Sequence, residues 1–165
     1  MKNTDIVLNH KLFNKKINKI EDDEKTRVFC KHDFSHLMDV ARICYIINLE
    51  ENLNIDKDLI YVTALLHDLG RADEVDTGIN HSILSQEIAQ EILKDLDFND
   101  ESKQRIINAI KHHRTNEEND DRFIEIFYKA DKLSRMCFRC PARSICNWPE
   151  EKKNKTVIYW KDTKC

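Results

Sequence analysis

Four residues of this 165-residue chain have the types and spacing to do chemistry together: His36, His67, Asp68 and Asp131. His36 stands four residues before Val40 on an apolar stripe, and His67 and Asp68 close the apolar segment LIYVTALLHD. Asp131 shares a helical face with Phe127, Ala130 and Ser134. A carboxylate buried without a partner is strongly disfavoured, so Asp68 and Asp131 need a cation or strong donors. No arginine or lysine stands inside the apolar segment to supply one. A divalent metal held by two imidazoles and two carboxylates satisfies all four residues, in the nitrogen and oxygen shell that Mn, Fe, Co, Ni and Zn accept.

A second group is made of sulfur. The segment MCFRCPARSICNW places Cys137, Cys140 and Cys146 in a C-x2-C-x5-C pattern. Three thiols so close are three-quarters of a structural zinc site or an iron–sulfur cluster, and both take four protein ligands. Cys30, His32 or Cys165 would be the fourth. Cys30 precedes His36 by six residues and Cys137 follows Asp131 by six, which puts both thiols beside the candidate metal site. Six cysteines in a chain expected in the cytoplasm read as thiols or ligands and not as a disulfide framework.

The elements that must carry these groups read as helices. Ile6, His10, Phe13, Ile17 and Ile20 predict one helix, and Leu37, Val40, Ala41, Cys44 and Ile47 predict another starting near Asp33. Asn54 or Asp56 caps a third, apolar nearly all round and therefore central. Gly70 stands where a helix C-terminus takes glycine, and residues 71–80 read as a polar loop. Further helices are expected from about Ser82, from an Asp100 cap, and through Phe123, Phe127 and Ser134, with the acidic stretch RTNEENDD as a solvated connector. The chain has only two glycines and two prolines, which argues against glycine-built phosphate loops, dinucleotide folds and hairpin-rich sandwiches. The fold expected is all-α: one domain of six to seven helices over residues 1–136, with a cysteine-containing extension, 137–165, packed on it. His10 reads as a hydrogen-bonded residue without a role, Cys44 as a core residue, and Trp148, Tyr159 and Trp160 as packing for the extension.

The segments HDFSHLMDVAR, ALLHDLGR, INHSILSQEIAQEIL, AIKHHRT and YKADKLSR resemble, in order and spacing, the motifs of the HD-domain metal-dependent phosphohydrolase superfamily. The resemblance spans roughly residues 31–135 and implies an all-helical fold. It implies that His36, His67, Asp68 and Asp131 ligate one metal. In the two-metal branches Asp68 would bridge to a second ion held by His81 and by His112 or His113. Periodicity favours His113, which follows Ile106 and Ile110 on the core stripe. Arg71 matches the basic residue of the HDxG(K/R) signature and would offset phosphate charge. His32 and Asp33 precede the first ligand closely enough to orient it, or to act as an acid for the leaving group.

The activity implied is cleavage of a phosphate ester or anhydride, most plausibly of a nucleotide, by a metal-activated water. The proline- and tyrosine-containing signature of cyclic-di-GMP phosphodiesterases is absent. Two readings from other classes use the same pocket: a nucleotide-binding metal or redox sensor without hydrolysis, and a diiron oxygenase of the same superfamily. Charge excludes little but guides expectation: 27 basic against 30 acidic residues, net −3, gives no global attraction for nucleic acid or an anionic membrane. The N-terminus lacks the apolar core of a signal peptide, and no run of about eighteen apolar residues occurs.

Overall fold

A computed structural model describes residues 1–115 and 120–157, and among them every regular element is helical. Eight α-helices occur: α1 (Lys2–Asn9), α2 (Lys11–Asp23), α3 (Phe34–Glu50), α4 (Lys57–Leu66), α5 (Arg71–Thr77), α6 (His81–Leu93), α7 (Asp100–His112) and α8 (Arg122–Leu133). Three short 3-10 turns follow, at Cys137–Arg139, Arg143–Ile145 and Glu150–Lys152. The all-helical fold expected from glycine scarcity and helical periodicity is the fold observed. No helix among the described residues is long and apolar enough to cross a membrane.

The α3 and α4 pair forms the middle. α3 packs on α4 and α8, α4 also packs on α1 and α7, and α6 lies against α5 and α7. Leu37, Val40, Cys44 and Ile47 of α3 meet Ile60, Leu65 and Leu66 of α4 and Phe123 and Phe127 of α8 in one buried core. Each such side chain contributes about 1.5–3 kcal/mol of burial free energy. Seven of the ten α4 residues are buried, including Thr63, whose hydroxyl donates to the Leu59 carbonyl at 2.8 Å.

Side-chain caps set the boundaries. Asp33 accepts from the His36 N–H (3.0 Å), Asp56 from the N–H groups of Asp58 and Leu59, and Asp121 from Phe123. The α6 cap is Asn80, so the helix begins at His81, and the α7 cap is Asn99, leaving Asp100 in the first turn. Three expectations are corrected. The first stripe is two helices, because His10 is extended (ψ 129°), its Nδ1 accepts from the Leu12 N–H, and Asn14 ties off the Leu8 and His10 carbonyls. Residues 71–77 are a helix, not a loop. It buries only Ala72 and is closed by Gly78 at φ 69°, so no apolar stripe announces it. Gly70 keeps ordinary helical angles (φ −64°), and its lack of a side chain serves a close approach of α6 instead.

After α8 the chain folds back. The Asn154 amide donates to the Lys132 and Arg135 carbonyls at 2.8 and 2.7 Å, closing the C-terminal end of α8. Arg135 lies 5.7 Å from the Trp148 ring. Tyr159, Trp160, Cys165 and residues 116–119 of the acidic connector lie outside the described residues.

Candidate metal centre

Four helices and the turn after α4 deliver six side chains to a single point. His36 comes from the first turn of α3, His67 and Asp68 from the turn after α4, His81 from the first residue of α6, His113 from the end of α7 and Asp131 from α8. None is more than 8% exposed. The two Asp68 oxygens face different partners. Oδ2 lies 3.4 Å from His67 Nε2 and 3.7 Å from His36 Nε2, and Oδ1 lies 3.4 Å from His81 Nε2 and 3.5 Å from His113 Nε2. Two triplets with metal-holding geometry result, His36–His67–Asp68 and Asp68–His81–His113. Asp131 Oδ1 abuts the first through His36 Nε2 at 3.4 Å without joining the compact triplet.

The opposite ring nitrogens decide what the Nε2 atoms are. His67 Nδ1 faces the Ala64 carbonyl at 2.7 Å and His113 Nδ1 the Ile110 carbonyl at 2.6 Å. A carbonyl only accepts, so Nδ1 carries the proton and a neutral ring leaves a lone pair on Nε2. Glu74 Oε1 accepts from His81 Nδ1 at 2.9 Å. Ser134 donates its hydroxyl to the Asp131 carbonyl at 2.6 Å, leaving its oxygen to accept from His36 Nδ1 at 3.2 Å. Four buried Nε2 atoms and Asp68 Oδ1 then have no hydrogen-bond partner in the protein. Buried lone pairs turned on carboxylate oxygens repel one another unless a cation stands between them, so these residues fit a divalent metal.

Electrostatics agree with that arrangement. Burial alone would raise the Asp68 carboxyl, but His67, Arg71 and the surrounding rings outweigh it and hold it well below the ordinary carboxylate range. Asp131 is held low in the same way, against burial, by His36, Lys132 and Arg135. Burial pushes His67 down, and burial together with Arg71 pushes His81 down, toward the neutral rings that metals take. His36 is the exception: burial lowers it, but Asp131 and Asp68 outweigh burial and raise it.

The apolar segment itself holds no cation, as expected, but cations reach both carboxylates from outside it. Arg71 Nε comes within 3.1 Å of Asp68 Oδ1 from the first turn of α5, and Lys132 Nζ lies 2.6 Å from Asp131 Oδ2. The orphaned imidazoles, more than the carboxylates, are what call for a metal. Glu74, Ser134, Lys132 and Arg135 are supporting residues that the sequence reading assigns no role. The last three sit within four residues of Asp131, which is a usable signal, whereas Glu74 is hidden by the misread loop.

A cavity of about 420 Å³ opens over the centre, lined by His32, His113 and Asp131 together with Arg27, Arg71, Arg114, Lys132, Arg135, Phe29 and Trp148. His32 is buried beside His36, ring centroids 5.5 Å apart, and its Nδ1 faces Glu24 Oε1 at 2.8 Å. Burial pushes it down to about 4 despite that carboxylate, which favours the uncharged ring and a role in orienting its neighbours. Cys30, Cys137 and Cys146 also line this cavity, and Cys30, Cys137 and Cys140 line an adjoining one of about 600 Å³. Among the described residues no three cysteines bring their sulfurs within 4.8 Å of one another. Cys44 is buried in the core, where burial pushes its thiol up.

A family model for the HD domain matches residues 33–136. An uncharacterized protein of Clostridium beijerinckii (strain ATCC 51743 / NCIMB 8052) is 45% identical over 136 residues, which cover 82% of this chain and 85% of the relative. The crystal structure of a predicted HD superfamily hydrolase from an uncultured Thermotogales bacterium shares the fold with a TM-score of 0.64, at 24% identity, over 87% of this chain and 79% of the other. The matched family segment contains all six histidine and aspartate residues of the centre and ends just before Cys137.

Proposed function

Since the chain belongs to the HD-domain family, we propose that it is a metal-dependent phosphohydrolase that cleaves a phosphate ester or anhydride of a nucleotide. The observation that carries the reading is the division of Asp68: one oxygen faces His36 and His67, the other His81 and His113, and all four Nε2 atoms are buried without protein partners. In this reading His36, His67, Asp68 and Asp131 hold one divalent ion, and Asp68, His81 and His113 a second.

Divalent ions so held would supply a water that ionises near neutral pH and a Lewis acid for the phosphoryl oxygens. The chain supplies the rest. Arg71, Arg114 and Lys132 line the cavity and offer donors for phosphate oxygens, with Arg71 able to present two in a fork. Trp148 and Phe29 line the same cavity and offer flat apolar faces to a base. Ser134, Glu74 and the carbonyls of Ala64 and Ile110 fix the imidazoles in the tautomer that leaves Nε2 free. His32, held by Glu24, keeps the His36 side of the centre ordered.

The test is a panel of nucleotides and other phosphate esters and anhydrides incubated with purified protein and Mn²⁺, Co²⁺ or Ni²⁺. Phosphate or nucleoside monophosphate should be released from at least one member, and Asp68→Ala should abolish the release. A clean negative across the panel overturns hydrolysis. Tight nucleotide binding retained in that negative would favour a binding module, and metal-dependent O₂ uptake an oxygenase.

A further inference from the structure

We propose that Cys30, Cys137, Cys140 and Cys146 ligate an iron–sulfur cluster in the wall of the cavity beside the His–Asp centre. Cys30 lies in the link before α3 and the other three follow α8, yet all four border the two adjoining cavities, with Cys30 and Cys137 in the wall common to both. The C-terminal segment that carries the other three thiols is coiled. Successive turns run from the Cys140 N–H to the Cys137 carbonyl, from Arg143 to Cys140 and from Cys146 to Arg143, at 3.2–3.4 Å. Lys153 donates to the Arg143 carbonyl at 3.1 Å and pins the coil from outside.

The spacing of the thiols discriminates between metals. A single zinc ion with four thiolates at about 2.3 Å needs its sulfurs within about 4 Å of each other. Among the described residues no three cysteine sulfurs come within 4.8 Å of one another, a wider spacing than one tetrahedral zinc ion imposes. A polynuclear cluster, which is itself several atoms across, takes its four thiolates from further apart.

The second observation is Arg135. Its side chain is nine-tenths buried, its Nε has no hydrogen-bond partner, and it lies in the same common wall, within reach of the Cys30 thiol. A buried guanidinium with a donor to spare beside cysteine suits the anionic charge of a thiolate-bound cluster, whose sulfurs accept such hydrogen bonds. Arg135 also reaches Asp131 at 3.4 Å, so the cluster would hold the residue that steadies that carboxylate.

The four cysteines are separate from the ligands of the hydrolase reading, although Arg135 touches both groups, and one set of preparations tests both. The full chain is isolated without oxygen, reconstituted with iron and sulfide, and assayed for iron, acid-labile sulfide and a visible charge-transfer band that bleaches with dithionite. Wild type should hold stoichiometric labile sulfide. Cys30→Ser and Cys140→Ser, in different segments, should each reduce it to background while circular dichroism stays helical. Asp68→Ala should keep the sulfide and lose only iron that has no sulfide with it. Wild-type protein without labile sulfide, or with zinc alone at the cysteines, overturns the cluster, as does sulfide retained in both serine variants. Sulfide lost only in Asp68→Ala would also overturn it, by placing the bound iron in the His–Asp centre.

Discussion

Each imidazole of the centre is useful to a metal only because something else holds its far nitrogen. Ser134 does this for His36 and Glu74 for His81, so the two halves of the centre have separate supports. Removing such a support leaves the ring in place but free to rotate and change tautomer, which typically costs about 10–100-fold in metal affinity. Ser134→Ala is therefore expected to weaken binding on the Asp68 Oδ2 side by about that factor, and Glu74→Ala on the Oδ1 side. Titration with Mn²⁺, followed by calorimetry or electron paramagnetic resonance, should resolve one weakened and one intact site in each variant. If both variants weaken the same single site, the centre is mononuclear and the division of Asp68 between two ions is wrong. The ligand-bearing residues themselves are legible from sequence because polar groups on apolar stripes are conspicuous. Their supports are less so: Ser134 shares the face of Asp131 but carries no sign of its partner, and Glu74 stands in a segment that reads as a polar loop until the helices are packed.

Among the elements, the junction between α5 and α6 depends on a missing side chain. A Cβ on Gly70 would lie 2.2 Å from the His81 carbonyl oxygen, 2.5 Å from the Ser85 nitrogen and 2.8 Å from Leu84 Cβ, and two of these are backbone atoms. Gly70→Ala must push α6 outward and carry His81 with it, at about 1–3 kcal/mol or more. Chemical denaturation should show that loss, together with weaker metal binding on the His81 side; an unchanged midpoint would contradict the close approach. The helix α1 hangs on a different device: Asp58 accepts from the Asn3 and Thr4 N–H groups, both at 2.9 Å, and from the Thr4 hydroxyl. Burial would raise that carboxyl, but these donors outweigh it and lower it from 3.8. The unfolded chain then takes up the proton at a higher pH than the folded one, so this contribution is complete at neutral pH. It falls away as pH drops below about 4 through the lowered folded value. Asp58→Asn should cost about 1–3 kcal/mol at pH 7, and the difference from wild type should shrink in acid. Helices with a continuous buried stripe, such as α3, are readable in the sequence. Helix α5 is not, because Val75 points out at 87% exposure and only Ala72 is buried. The break at His10 is equally hidden, because Phe13, Ile17 and Ile20 continue the stripe of α1 across it.

At the scale of the molecule, the centre joins elements far apart in sequence: α3, the turn after α4, α6, α7 and α8 each place a ligand-type side chain within a few ångströms of Asp68 or Asp131. The scarcity of glycine fits this plan, since phosphate would be met by cations on rigid helices and not by backbone N–H groups. The net charge of −3 conceals it, because five basic side chains are gathered at one cavity mouth. The buried Nε2 atoms turned on the Asp68 carboxylate have no hydrogen-bond partner in the protein, so a metal ion bound there would satisfy groups from five elements at once. An ion that binds only the folded state stabilises it by mass action, about 2.7 kcal/mol at a hundredfold excess over Kd. For a chain of this size that is about 5–10 °C in Tm. Thermal unfolding should therefore move down by that amount on stripping with a chelator and return on adding Mn²⁺. Asp68→Ala, which removes the carboxylate common to both triplets, should unfold at the same temperature with and without metal. A chelator-insensitive wild type, or an Asp68→Ala variant that still gains stability from Mn²⁺, would mean that the helices are held together by packing alone and that the ion binds elsewhere.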